Sequence, residues 1–223
     1  IILPDADLQR SVIAGVHACY TNGGQNCQSP TRMLIHVSQR DAAIEAARAA
    51  VETIRLGDPL DPATTMGPLV SKAQFDKVQD LIQSGIDEGA MLVTGGTGRP
   101  AEVNRGYYVR PTVFADVKPE MRIAREEIFG PVLSIMNYET EEEAIEIAND
   151  TPFGLAGFVQ SKDAERARRV ANRIRAGRVY LNGAPFDRRL PFGGYKQSGN
   201  GREFGVFGFE EYLEVKAILG YPA

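Results

Sequence analysis

Cys27 stands in a polar loop, Tyr20-Thr21-Asn22-Gly23-Gly24-Gln25-Asn26-Cys27-Gln28-Ser29-Pro30-Thr31-Arg32, between a helical pattern and the apolar run Met33 to Val37. Two glycines in a row let the backbone turn where a Cβ would clash. A thiol held on such a turn between amide side chains is placed to react, since a thiolate adds readily to a trigonal carbon. Cysteine is also a common small core residue, and the local sequence leaves both readings open. Two later stretches also carry groups that can do chemistry. Glu126-Glu127-Ile128-Phe129-Gly130-Pro131-Val132 offers a carboxylate that can accept two hydrogen bonds, or one that is merely solvated beside its neighbour. Pro191-Phe192-Gly193-Gly194-Tyr195-Lys196-Gln197-Ser198-Gly199-Asn200-Gly201-Arg202-Glu203 offers an aromatic ring, which on local grounds reads as core, and a carboxylate, whose alternative reading is a charge in the first turn of a helix.

In their order and spacing the three blocks resemble the catalytic, C-terminal half of the NAD(P)-dependent aldehyde dehydrogenase superfamily, from Ile1 to about Ala217. The resemblance implies that Cys27 is the nucleophile and that its N–H helps to hold an oxyanion. It implies that Glu127 binds the nicotinamide ribose and that Phe129 packs by the ring of NAD or NADP. Phe186 and Phe192 then line an apolar aldehyde tunnel, and Glu203 reaches the general base through water. Gln28 departs from the small residues usual after the cysteine, so it either narrows the tunnel or reaches the aldehyde. Family members carry a cofactor-binding half and a Glu-Leu-Gly-Gly-Lys motif before the point where this chain opens, Ile1-Ile2-Leu3-Pro4. The expectation is a fragment, inactive alone. A coenzyme-A-acylating relative and a non-catalytic assembly module are the alternatives.

The elements that must position these residues alternate. Leu8, Val12, Val16 and Cys19 share one helical face behind the candidate N-cap Asp7, which places Cys19 in the core. Strands are expected at about 32–37, 91–94, 131–138, 155–160 and 178–182, with an extended segment at 107–117. Helices are expected at 41–54, from the capping box Ser71-Lys72-Ala73-Gln74 to Gly89, from the box Thr140-Glu141-Glu142-Glu143 to Asn149, and at 162–174. This pattern gives an α/β fold with a mostly parallel sheet flanked by helices. Residues 1–209 are read as the catalytic domain. Alternation over Glu210 to Ala217 is read as a C-terminal strand, and 210–223 as an oligomerisation element of a homo-oligomer. The cluster Gly95-Gly96-Thr97-Gly98 lacks the spacing of a phosphate loop and is read as a turn.

The chain has 223 residues, a net charge of −4, two cysteines and two histidines. Without a basic cluster no nucleic-acid footprint is expected, and no apolar run suggests a membrane span. The cysteines and histidines fit no zinc spacing, so no metal is expected. Reduced thiols and a cytoplasmic location are expected. His17 falls in a helix and His36 in a strand, which gives a Cys–His hydrolase no support.

Overall fold

The computed structural model describes residues 1–220. Strands β1 (Arg32–His36), β4 (Val132–Tyr138), β3 (Thr112–Ala115) and β2 (Met91–Thr94) form one sheet in the spatial order β1-β4-β3-β2. β1, β4 and β3 run parallel and β2 is antiparallel to β3. β5 (Ala156–Val159) and β6 (Arg178–Leu181) form a second, parallel pair. Residues 1–3 stitch the two together. Ile2 bridges in parallel to both Ile35 and Gln160. The Ile2 N–H donates to Leu34 O at 3.0 Å, and the Leu3 N–H to Gln160 O at 3.0 Å. The Tyr138 hydroxyl closes the seam on Ile2 O at 2.7 Å.

Successive residues of a strand face opposite sides, so β1 feeds two cores. Met33 and Ile35 meet α1 (Leu8–Tyr20) and α2 (Arg40–Glu52), in a cluster with Val12, Val16, Cys19 and the alanines of α2. Leu34 faces the other side, with Phe114, Met136 and α3 (Lys72–Asp87). The one-turn α4 (Arg122–Arg125) packs there too. β4 is buried on both faces, which is why it reads as an almost unbroken apolar run. α5 (Glu141–Asn149) and α6 (Ala164–Ala171) cover the second sheet around Leu3, Ile145, Val159 and Val170.

Helix starts follow the expected chemistry. Asp7 accepts from the Arg10 N–H, Ser71 from Gln74 and Thr140 from Glu143. The box at Ser71 is only half formed, because the Gln74 side chain turns away to a different segment. The expected strand over Glu210 to Ala217 is absent. α7 (Gly205–Glu210) occupies its start, and the N–H groups of Tyr212 and Leu213 bond back to Phe209 and Glu210. Alternation provides no backbone partner, and no strand of the described residues pairs with this segment. Its side chains stay outside: Val215 is 99% and Leu219 92% exposed.

Two contacts generate tests. Gly24, at φ +74°, lies so close to Gly130 that a Cβ would sit 2.1 Å from the Gly130 oxygen. Gly24→Ala combines overpacking against backbone with a left-handed conformation, and should lower unfolding stability by about 2–4 kcal/mol. A urea midpoint within error of wild type would contradict this contact. Asp5 ties the N-terminal thread to α6: its Oδ2 accepts from Ser161 Oγ, the Lys162 N–H and the Asp163 N–H, and its Oδ1 from Arg166. Burial pushes the Asp5 pKa up, but these hydrogen bonds outweigh it and hold the carboxyl below its ordinary value. A depressed pKa stabilises the fold above the unfolded value, about 3.9, and that contribution is lost as pH falls through the folded value. Asp5→Asn should therefore cost about 1–2 kcal/mol at pH 7 and show a smaller loss of stability between about pH 5 and 2 than wild type. Parallel curves of stability against pH would refute the assignment.

Candidate active site

α1 delivers the chain to the cysteine loop from a fixed anchor. Its last two residues are both bound to the sheet: Cys19 Sγ donates to Val132 O at 3.6 Å and Tyr20 Oη to Thr112 O at 2.8 Å. Burial pushes the Cys19 thiol far up and leaves it inert. Asn22, Gly23 and Gly24 then take positive φ and reverse the chain. Gln25 pins the turn, its Oε1 accepting from the Val70 N–H at 2.9 Å and its Nε2 donating to Asn22 O at 3.0 Å. The Asn26 side chain accepts from the Gln28 N–H, and its carbonyl from the Ser29 N–H. Cys27 is left at the tip, free and exposed. The N–H and thiol of Cys27 have no hydrogen-bond partner among the described residues.

Cys27 opens onto a cleft of about 570 Å³, with Gln28 and Glu127 also in its wall. The Glu127 segment is held by side chains from α3. Gln74 Nε2 donates to both Ile128 O and Phe129 O at 2.9 Å, and Lys77 Nζ to Glu127 O at 2.6 Å. Glu126 is taken up by Arg122 at 2.6 Å, and this pairing lowers its pKa. The Glu127 carboxylate has no hydrogen bond or ion pair among the described residues and is exposed to the cleft. Phe129, at φ 55°, is half-buried and does not line that cleft.

The third block docks on the second sheet. A Cβ on Gly177 would overlap the Gly193 carbonyl, at 1.6 Å. Lys196 Nζ donates to Asn149 O and Thr151 O, and the Gly154 N–H to Ser198 Oγ. Burial lowers the Lys196 pKa, with Arg175 and Arg32 adding to the effect. Phe192 and Glu203 exchange a pair of backbone hydrogen bonds, 2.7 and 2.6 Å. Glu203 thus sits in a β-bridge ahead of α7 and not in a helical first turn. Its side chain is exposed and belongs to neither cavity. Phe186 lines a second hollow of about 210 Å³ together with Gln28. Phe186, Phe192 and Phe204 form an aromatic cluster, with centroids 5.8–6.3 Å apart.

Several residues that shape the site carried no signal in the sequence. Arg178 lies over Phe186 at 4.3 Å and over Phe192 at 5.4 Å. It also donates to Pro191 O, Asp187 O and Leu190 O, so one guanidinium holds the aromatic loop. Tyr180 Oη donates to Gln28 Oε1 at 2.9 Å. Phe204 completes the cluster. Neither histidine lines the cleft: His17 bonds Thr53 and His36 bonds Ser38 and Glu139 O. No helix of the described residues is long and apolar enough to cross a membrane.

The aldehyde dehydrogenase family profile matches residues 1–218. A 3-succinoylsemialdehyde-pyridine dehydrogenase from a Pseudomonas species is 53% identical over 221 residues, covering 99% of this chain and 46% of that protein. The crystal structure of a cysteine-to-alanine mutant of aldehyde dehydrogenase C from Pseudomonas syringae, with NAD+ and octanal, superposes with a TM-score of 0.97 at 52% identity, over 100% of this chain and 46% of that one. A Mycobacterium tuberculosis aldehyde dehydrogenase complexed with NAD+ gives a TM-score of 0.94 at 44% identity, again over 100% and 46%. The chain thus spans about half the length of the relatives it matches, and it belongs to the aldehyde dehydrogenase family.

Proposed function

We propose that the chain is the catalytic, C-terminal half of an NAD(P)-dependent aldehyde dehydrogenase, with residues 1–209 as catalytic domain and 210–223 as oligomerisation element. The observation that carries this reading is one cleft with an exposed, unpartnered thiol, Cys27, and an unpaired carboxylate, Glu127, in its wall. The Cys27 thiolate adds to the aldehyde carbon and gives a tetrahedral thiohemiacetal. The Cys27 N–H, which has no internal acceptor, donates to the oxyanion formed there. A nicotinamide held through its ribose by Glu127 would supply the hydride acceptor that takes this adduct on to a thioester at Cys27. Water then hydrolyses the thioester: its oxygen bonds the acyl carbon, the C–S bond breaks, and the acid and the free Cys27 thiol are released.

Glu127 fits the cofactor's ribose: its carboxylate is exposed in the cleft and has spare acceptor capacity, and its backbone is fixed by side-chain bonds from Lys77 to Glu127 O and from Gln74 to Ile128 O and Phe129 O. Phe129 would flank the ring. Phe186, which lines the smaller hollow, forms the apolar wall for the aldehyde chain; Phe192 borders neither cavity and packs behind it, and Arg178 holds both rings. Glu203 is a positioning residue, since it borders neither cavity. The base for hydrolysis and the contacts to the rest of the cofactor are assigned to the half of the relatives that these residues do not span. Loss of remote cofactor contacts removes the binding energy that would position the ring, so the 223 residues alone should not turn over aldehyde. The solvent-facing Val206, Phe207, Phe209, Tyr212, Leu213 and Val215 favour self-association.

Three outcomes test this reading. Iodoacetamide should label Cys27 rapidly in the native protein and Cys19 only after unfolding; equal labelling of both would remove the nucleophile. An activated ester should give a single burst of leaving group without turnover, and aldehyde with NAD no reduction. Steady NAD reduction by these residues alone, abolished by Cys27→Ala, would show that the other half is dispensable. Deleting residues 211–223 should shift the sedimentation coefficient to a smaller species; an unchanged value would dismiss the tail as an assembly element.

A further inference from the structure

The residue next to the candidate nucleophile is part of a directional hydrogen-bond chain. Arg178 Nη1 donates to Tyr180 Oη at 3.4 Å, and Tyr180 Oη to Gln28 Oε1 at 2.9 Å. Arginine carries donors only, so the Tyr180 oxygen accepts from it and turns its own O–H toward Gln28. This sets the amide with its oxygen on Tyr180. The two Gln28 Nε2 hydrogens have no acceptor among the described residues. The relay is rigid at its far end: Arg178 is locked by the loop carbonyls and phenylalanines, and the Tyr180 ring stacks on Phe158 at 5.1 Å and 14°.

Gln28 and Tyr180 belong to both cavities. They line the 570 Å³ cleft that holds Cys27 and the 210 Å³ hollow under Phe186. A fixed amide donor thus stands in a partition that is otherwise largely apolar, one residue from the thiol.

Given the reading of Cys27 as nucleophile, on which this inference rests, the geometry points to Gln28 as a specificity-determining residue. It selects aldehydes that carry a hydrogen-bond acceptor, such as a keto oxygen, within a few bonds of the reacting carbon. Tyr180 and Arg178 act as positioning residues that keep the amide N–H groups facing the substrate. A purely aliphatic aldehyde leaves this half-buried donor without a partner in the bound state, and an acceptor-bearing one satisfies it.

The acylation step isolates this effect from the cofactor. The 223-residue chain is mixed with 4-nitrophenyl octanoate and, separately, with 4-nitrophenyl 4-oxooctanoate. In each reaction the Cys27 Sγ–acyl bond forms, the ester C–O bond breaks, nitrophenolate leaves with the electron pair and the thiol proton goes to solvent. The ratio of oxo to plain acylation rates, divided by the same ratio for free cysteine, removes intrinsic ester reactivity. Wild type should give a corrected ratio of about 10, the effect of one hydrogen bond of about 1.4 kcal/mol. Gln28→Glu keeps the volume but replaces the donor with an acceptor, and should bring the ratio to one or below. Tyr180→Phe keeps the stacked ring but frees the amide to turn, and should give an intermediate value. If Gln28→Glu lacks native circular dichroism, the Tyr180→Phe ratio decides. A wild-type ratio near one, or a ratio unmoved by the variants, overturns the inference while leaving Cys27 as nucleophile. No burst in wild type overturns both.

Discussion

The site depends on one contact between two stretches of bare backbone. Gly24 ends the turn that presents Cys27, and Gly130 ends the segment that presents Glu127. They meet with no room for a Cβ between them. This approach places a thiol from one loop and a carboxylate from another, a hundred residues apart, in one wall. Each partner is braced on its far side. Tyr20 and Cys19 tie the first stretch to the sheet, and Gln74 holds the carbonyls of the second. Backbone packed on backbone has few ways to relax. The separation of the two groups is therefore set by glycine, and neither functional side chain has to supply it.

What could be read from the sequence was what is settled locally. Asp7, Ser71 and Thr140 cap their helices because an N-cap needs only the next three residues. Strands β1 and β4 announced themselves by apolar runs, since burial on both faces requires them. Gln74 shows where such reading stops. Its position promised the reciprocal half of a capping box, but its amide crosses to a segment 54 residues away. Spacing has no term for that competitor. The tail fails for a related reason: alternation from Tyr212 to Ala217 describes a surface that could pair, and pairing also needs a neighbouring strand.

The three motif blocks were legible as motifs, and Cys27, Gln28 and Glu127 do share a cleft. Their supports were not. Arg178 opens an ordinary-looking strand, and nothing in Arg178-Val179-Tyr180-Leu181 says that the first side chain will gather three carbonyls and two rings. A cation acquires that role only when the loop from Phe186 to Phe192 folds back over it. The alternative reading of Glu203, as a charge in a helix first turn, fails in the opposite way. Its block suggested a helix start, while backbone pairing with Phe192 holds it in an extended bridge before α7 begins.

Residues 1–3 also impose an order of events on folding. They bridge β1 and β5, yet their partners lie near residue 35 on one side and residue 160 on the other. As the chain leaves the ribosome, Ile2 can pair with β1 long before β5 exists. Until residues near 160 are made, that thread lacks its second partner. The seam closes only when the second sheet is synthesised and Asp5 finds Ser161 and Arg166. High sequence separation at this one junction makes its closure a slow, late step.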